Sequence, residues 1–141
     1  MRDIPKGLVA GLAATVVLTL LMGLKAMMGL MPQLDIPRML AAMMGSPSMP
    51  VIGWIVHFII GIVVYGVAIA VLDSKLPGTS HVGHGVMLAV LGWLIMMVLL
   101  MPMAGAGLFG MNIGIMAPMM TLVLHLIFGA VLGWVYGRST V

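Results

Sequence analysis

Four stretches of this chain carry no Asp, Glu, Lys or Arg and are almost wholly apolar: residues 7–24, 51–72, 82–103 and 119–137. A helix needs about 20 apolar residues to cross the hydrocarbon core of a bilayer, and each run meets or approaches that length. A bilayer offers the backbone no hydrogen bonds, so a spanning segment must satisfy its own. The runs lack the alternation of a membrane barrel strand, which leaves helices. Composition agrees. Charged residues make up 6% of the 141, with three acids and six bases, where a soluble domain carries roughly a quarter. The expected fold class is all-α: a single integral membrane four-helix bundle over 1–141, with helices at about 7–31, 50–72, 82–103 and 118–137.

The first run is preceded by Arg2 and Lys6, as in a signal peptide, but it continues past Lys25 with no small-x-small cleavage pattern. It is read as a span. Arg2, Lys6, Lys75 and Arg138 then fall on one side of the bundle. Arg38 falls on the other, with Lys25 near the outer end of helix 1, where it can snorkel. The positive-inside bias predicts a multi-pass protein with both termini cytoplasmic.

The outward loops differ. Asp35-Ile36-Pro37-Arg38, followed by an apolar stretch and Gly45, predicts a short interfacial helix over about 36–44. Asp35 would cap it, Pro37 suits its first turn and Gly45 ends it. Asp35 and Arg38 have the spacing of a local ion pair. The second loop, 104–118, is uncharged and glycine-rich. It is expected to lie in the interface or fold partway back into the membrane.

Two segments repeat each other. Residues 49–61 align without a gap on 117–129, so that Pro50, His57 and Gly61 fall on Pro118, His125 and Gly129. A weaker match at an offset of 78 places Gly7 on Gly85 and Gly11 on Ala89. Two repeated helical hairpins are expected, related by a pseudo-two-fold along the membrane normal.

Small residues recur at four-residue spacing: Gly7, Gly11, Thr15, Thr19 and Gly23 in helix 1; Gly53, His57, Gly61 and Tyr65 in helix 2; Thr121, His125, Gly129, Gly133 and Gly137 in helix 4. Such stripes let helix backbones approach. His57 and His125 lie on them and are expected to point into protein, about 10 Å along the helix from their prolines. His81 and His84 are expected to be solvated at the inner end of helix 3.

An ionisable ring inside a membrane is a functional-site candidate, and several readings stay open for this pair. Neutral imidazoles can act as interhelical glue, worth about 1 kcal/mol. They can ligate haem b, with Gly61 and Gly129 making room for the macrocycle and Arg38 or Lys25 near the propionates. They can bind copper: the chain has 18 methionines, and Met49, Met119 and Met120 flank the repeat prolines, thioether and imidazole being ligands that select Cu(I). A small homo-oligomeric channel or transporter is a further reading, although the spans hold no carboxylate for a proton relay. Enzyme chemistry has little support. The acids, Asp3, Asp35 and Asp73, lie in flanks or loops, with no paired carboxylate, Ser-His-Asp set, phosphate loop or HExxH. There is no cysteine for disulfides or thiolate sites, and no basic patch for nucleic acid.

The pattern of 31–40 after helix 1, Gly53-Trp54-Ile55-Val56-His57 in helix 2, and His125 with Gly129 in helix 4 resembles an uncharacterised family of small bacterial four-helix inner-membrane proteins. The resemblance implies bacterial origin and the cytoplasmic membrane, and no catalytic role. The expected function is an accessory or structural subunit of a larger, respiratory-type membrane complex. Its partners would be the lipid bilayer and other membrane subunits or further copies of itself.

Overall fold

The computed structural model describes residues 3–139. Among the described residues the fold is carried by α1 (Ile4–Met27), α2 (Ile36–Met43), α3 (Pro50–Lys75), α4 (His81–Met103) and α5 (Met116–Arg138). All but α2 are long and apolar enough to cross a membrane. α1 packs along α3 on one side and α5 on the other, α5 packs along α4, and α2 lies against α3. One end of the bundle gathers both described chain ends and the 76–80 turn: Lys6 lies over the Tyr136 ring, and Gly137 abuts His81. The other end carries α2 and the 104–115 loop.

Local sequence signals start the helices. Pro5, Pro37 and Pro50 occupy the first turns of α1, α2 and α3, where the missing N–H costs nothing. The Asp35 carboxylate accepts from the Arg38 N–H at 3.1 Å, and the Ser80 hydroxyl accepts from the Gly83 N–H at 3.1 Å. Asp35 also pairs with the Arg38 guanidinium at 3.5 Å, as the spacing predicts.

Three of the helix ends share one device. Gly29, Gly45 and Gly105 take φ of +69°, +81° and +82°. Leu30 N–H bonds back to the Lys25 carbonyl, Ser46 to Ala41 and Ala106 to Met101, each crossing the bond made by the glycine itself. This is the Schellman stop. It ends α1 at Met27, four residues before the expected boundary, because a left-handed turn at Gly29 outweighs the apolar character of the residues beyond it. Lys25, expected to snorkel, instead donates to the Leu30 and Met31 carbonyls at 2.9 and 3.0 Å.

The α1–α3 contact is made by small residues. Gly7 abuts Gly66 and Ala70, Gly11 abuts Gly61 and Ile62, Thr15 abuts Gly61, and Thr19 reaches His57. The α1 stripe is therefore used as its spacing predicts, except that Gly23 meets nothing within 4 Å. The α3 face follows a different count. From His57 it runs to Gly61, then Gly66, then Ala70, because residues Ile60–Tyr65 form a π-helical turn that takes one extra residue. Tyr65, expected on this stripe, is thereby rotated off the α1 face. It packs edge-on to Phe128 at a ring separation of 4.8 Å and reaches Gly92. A second π-helical turn, Met96–Leu100 in α4, ends two residues before Pro102, whose ring and missing N–H disrupt the regular ladder.

The α5 stripe serves α4: Gly129 packs on Gly85 and Ala89, and Gly133 on the His81 carbonyl and Val82. The main core lies between these helix pairs, with Ala10, Ile69, Leu88, Phe128 and Leu132 buried. A smaller core at the opposite end holds Leu34, Met97, Met101 and Ala106. The apolar 104–115 loop closes over it, with Phe109 edge-on to Trp93 at 5.8 Å.

Candidate functional site

The two repeat histidines occupy different surroundings. His57 is buried on the α3 face that meets α1, with Trp54 and Phe58 edge-on to its ring at 5.5 and 5.6 Å. Its Nε2 lies 3.3 Å from the Thr19 hydroxyl oxygen, and that hydroxyl donates to the Thr15 carbonyl at 2.7 Å. With the Thr19 proton engaged, the contact requires His57 Nε2 to donate and places the ring lone pair on Nδ1. His125 is half-buried, and its Nδ1 lies 2.8 Å from the Thr121 carbonyl. A carbonyl only accepts, so His125 carries its proton on Nδ1 and its lone pair on Nε2. Each ring is bonded to a neighbour along or across its helix.

Other predicted site residues are placed as follows. The space beside Gly61 is taken by the Thr15 side chain, and that beside Gly129 by Ala89 and the Gly85 carbonyl. Met49 and Met119 are exposed and Met120 is half-buried, all at the first turns of α3 and α5. Thr121 joins α5 to α4: its hydroxyl accepts from the Trp93 indole N–H at 3.0 Å and donates to the Ala117 carbonyl at 2.7 Å.

At the opposite end the structure assembles a cluster that the sequence reading passed over. Asp73 follows the last apolar turn of α3, and His81 and His84 sit in the first turn of α4. His81 Nδ1 lies 2.9 Å from both Asp73 carboxylate oxygens, and His84 Nδ1 lies 2.8 Å from Oδ1. His81 is exposed, as expected. His84, expected to be solvated, is 4% exposed, because the 76–80 turn folds over it and brings Gly78 beside its Nε2. Among the described residues, this is the one place where three His, Asp or Glu side chains converge. The signal was present in the sequence: His81 and His84, three apart, share a helix face, and an acid, Asp73, stands in the last turn of the preceding helix, eight residues before His81.

The model of one protein family matches residues 1–141. The chain belongs to DUF6789, a family of unknown function. No curated protein and no solved structure matches the chain.

Proposed function

We propose that this DUF6789 chain is a multi-pass scaffold of the bacterial cytoplasmic membrane that acts as an accessory or structural subunit of a larger membrane complex. The observation that carries the reading is how the polar groups of the spans are used. Thr19 with His57, and Trp93 with Thr121, are paired across helix contacts at which small residues bring backbones together. Polar side chains employed this way join helices; they do not line a wet path. The outer surface suits further helices. α3 is the most apolar of the four long helices and the least buried, and Val51, Trp54, Ile55, Phe58 and Ile62 line a shallow apolar hollow of about 390 Å³ along it.

The orientation follows from charge. Lys6, Lys75 and Arg138, with Arg2 preceding them in sequence, belong to the end that carries the termini, which this reading places in the cytoplasm. Duplication of a helical hairpin belongs to the same proposal. It is supported by one equivalent contact: Gly11 on Gly61 within α1–α3 matches Ala89 on Gly129 within α4–α5. The wide turn of α3 has no counterpart in α5, which is α-helical throughout, and it shifts the remaining contacts out of register.

Extraction in mild detergent followed by chemical cross-linking tests the subunit reading. Recovery of the chain in a stable hetero-complex is the expected result; a chain that always elutes alone, with no cross-linked neighbour, overturns it.

One observation favours a second reading. His125 donates from Nδ1 to a backbone carbonyl and keeps its Nε2 lone pair, the arrangement of a metal-ligating histidine. Haem b or copper bound there would give an absorption band or a metal content that His125→Ala abolishes. The filled spaces beside Gly61 and Gly129 weigh against haem.

A further inference from the structure

We propose that Asp73, His81 and His84 form a binding site for one divalent transition-metal ion of the zinc type, at the end of the bundle that carries the termini. One ligand atom from each residue lies within 4.8 Å of the other two. Both Nδ1 atoms converge on the same carboxylate, at 2.8 and 2.9 Å. Around a tetrahedral zinc with bonds of ~2.0–2.1 Å, ligand atoms stand about 3.4 Å apart. To admit the ion, the two Nδ1–carboxylate distances need to lengthen by about 0.5 Å, and the two Nδ1 atoms, within 4.8 Å of each other, need to draw in toward about 3.4 Å. Two imidazole nitrogens and one carboxylate oxygen are a donor set for zinc and its neighbours. With three protein ligands the fourth position falls to water, and the His81 side chain, 47% exposed, leaves that side open.

The proton inventory favours the ion. Without it, each Nδ1–H donates to Asp73, and the lone pair of His84 is left on Nε2, which is buried without a hydrogen-bond partner. With a metal at Nδ1, the proton resides on Nε2 and the ring stays neutral. Nε2 lies beside Gly78 in the 76–80 turn, so that proton would be directed at the turn's backbone, the kind of group that gives outer support to a metal-bound histidine. α5 shapes the other side of the site. The His81 ring lies edge-on to Tyr136 at 5.8 Å and occupies the space that a side chain at Gly137 would fill. The competing arrangement is a metal-free staple, with two imidazoles donating to one carboxylate to hold the α3–α4 turn.

Full-length protein, purified in detergent without a polyhistidine tag and stripped with a chelator, is titrated with Zn²⁺ against a chromophoric competitor. One ion per chain is expected. His81→Gln and His84→Gln should each weaken binding by at least about 100-fold, a ligand mattering no less than its outer support. Asp35→Asn, at the far end of the bundle, should leave the affinity unchanged. Circular dichroism and gel filtration check folding, and if His84→Gln misfolds, His81→Gln at its half-exposed position decides alone. Absence of stoichiometric binding by the native chain, or undiminished binding by a folded His81→Gln variant, overturns the site and leaves the staple.

Discussion

Thr19 on α1 accepts a hydrogen bond from His57 on α3 across 3.3 Å, and it can do so because its own proton is committed to the Thr15 carbonyl one turn back. The hydroxyl is thus fixed as an acceptor, and it selects the histidine tautomer that keeps Nε2 protonated. His125, whose partner is the Thr121 carbonyl, is held in the opposite tautomer. Residues in matching places of the two aligned segments therefore present different nitrogens.

A double-mutant cycle measures the Thr19–His57 bond. Thr19→Val and His57→Leu, alone and together, should show a coupling of about 0.6 kcal/mol, the usual size of an interhelical hydrogen bond in a membrane protein. Unfolding in mixed micelles gives the three differences. Additive single effects would mean that the two side chains do not interact.

The α1 stripe makes a contrast between two of its own glycines. A methyl group at Gly11 would sit 2.5 Å from the Gly61 carbonyl oxygen and 2.9 Å from that of Ile62, whereas one at Gly23 meets nothing within 4 Å. Backbone cannot move aside as a side chain can. Gly11→Ala should cost about 1–3 kcal/mol by overpacking. Gly23→Ala should be neutral or slightly stabilising through helix propensity. Equal effects at the two positions would contradict the α1–α3 contact.

Orientation can be read with single cysteines, since the chain has none of its own. Thr79 in the α3–α4 turn and Ser48 before α3 are both exposed, at opposite ends of the bundle. If the termini are cytoplasmic, a membrane-impermeant maleimide should label Ser48→Cys in intact cells and reach Thr79→Cys only after permeabilisation. The reverse pattern would invert the topology and place the Asp73–His81–His84 cluster outside.

The four long apolar helices were legible because the rule that reveals them, uninterrupted apolar length, depends on no tertiary contact. The α1 stripe was legible for a related reason: Gly7, Gly11, Thr15 and Thr19 follow one regular period, and α1 is a regular α-helix. The same period misplaced Tyr65, because the extra residue of the π-helical turn is a property of how α3 beds onto α1. Its one trace in the sequence is Gly66, a residue late for the stripe. The stop at Gly29 is hidden in the sequence by the apolar residues that continue beyond it, although glycine is the commonest left-handed stop. The Asp73 cluster was missed for a third reason. Its members sit at span ends, where charge reads as solvated, and only the closure of the 76–80 turn shows His84 to be buried. The histidine pair was found by repetition, but repetition says nothing about hydrogen-bond partners, and those set which nitrogen each ring offers.

The stop at Gly105 should be the most sensitive of the three helix ends. Its φ of +82° is left-handed, a conformation that costs an L-residue with a Cβ about 1–2 kcal/mol. The next residue, Ala106, bonds back to Met101 and is buried in the smaller core with Met97 and Leu34. A change of backbone at Gly105 therefore also withdraws a core residue, which is not the case at Gly45, where the following residue is a half-buried serine. Asparagine tolerates the left-handed region better than alanine, and β-branched residues tolerate it least. Stability should accordingly fall in the order Gly, Asn, Ala, Val at position 105, with Gly105→Ala lowering it by about 1–2 kcal/mol and Gly45→Ala by less. A thermal-shift series in detergent checks the order. If Gly105→Asn proves no better than Gly105→Val, the left-handed turn is not what ends α4.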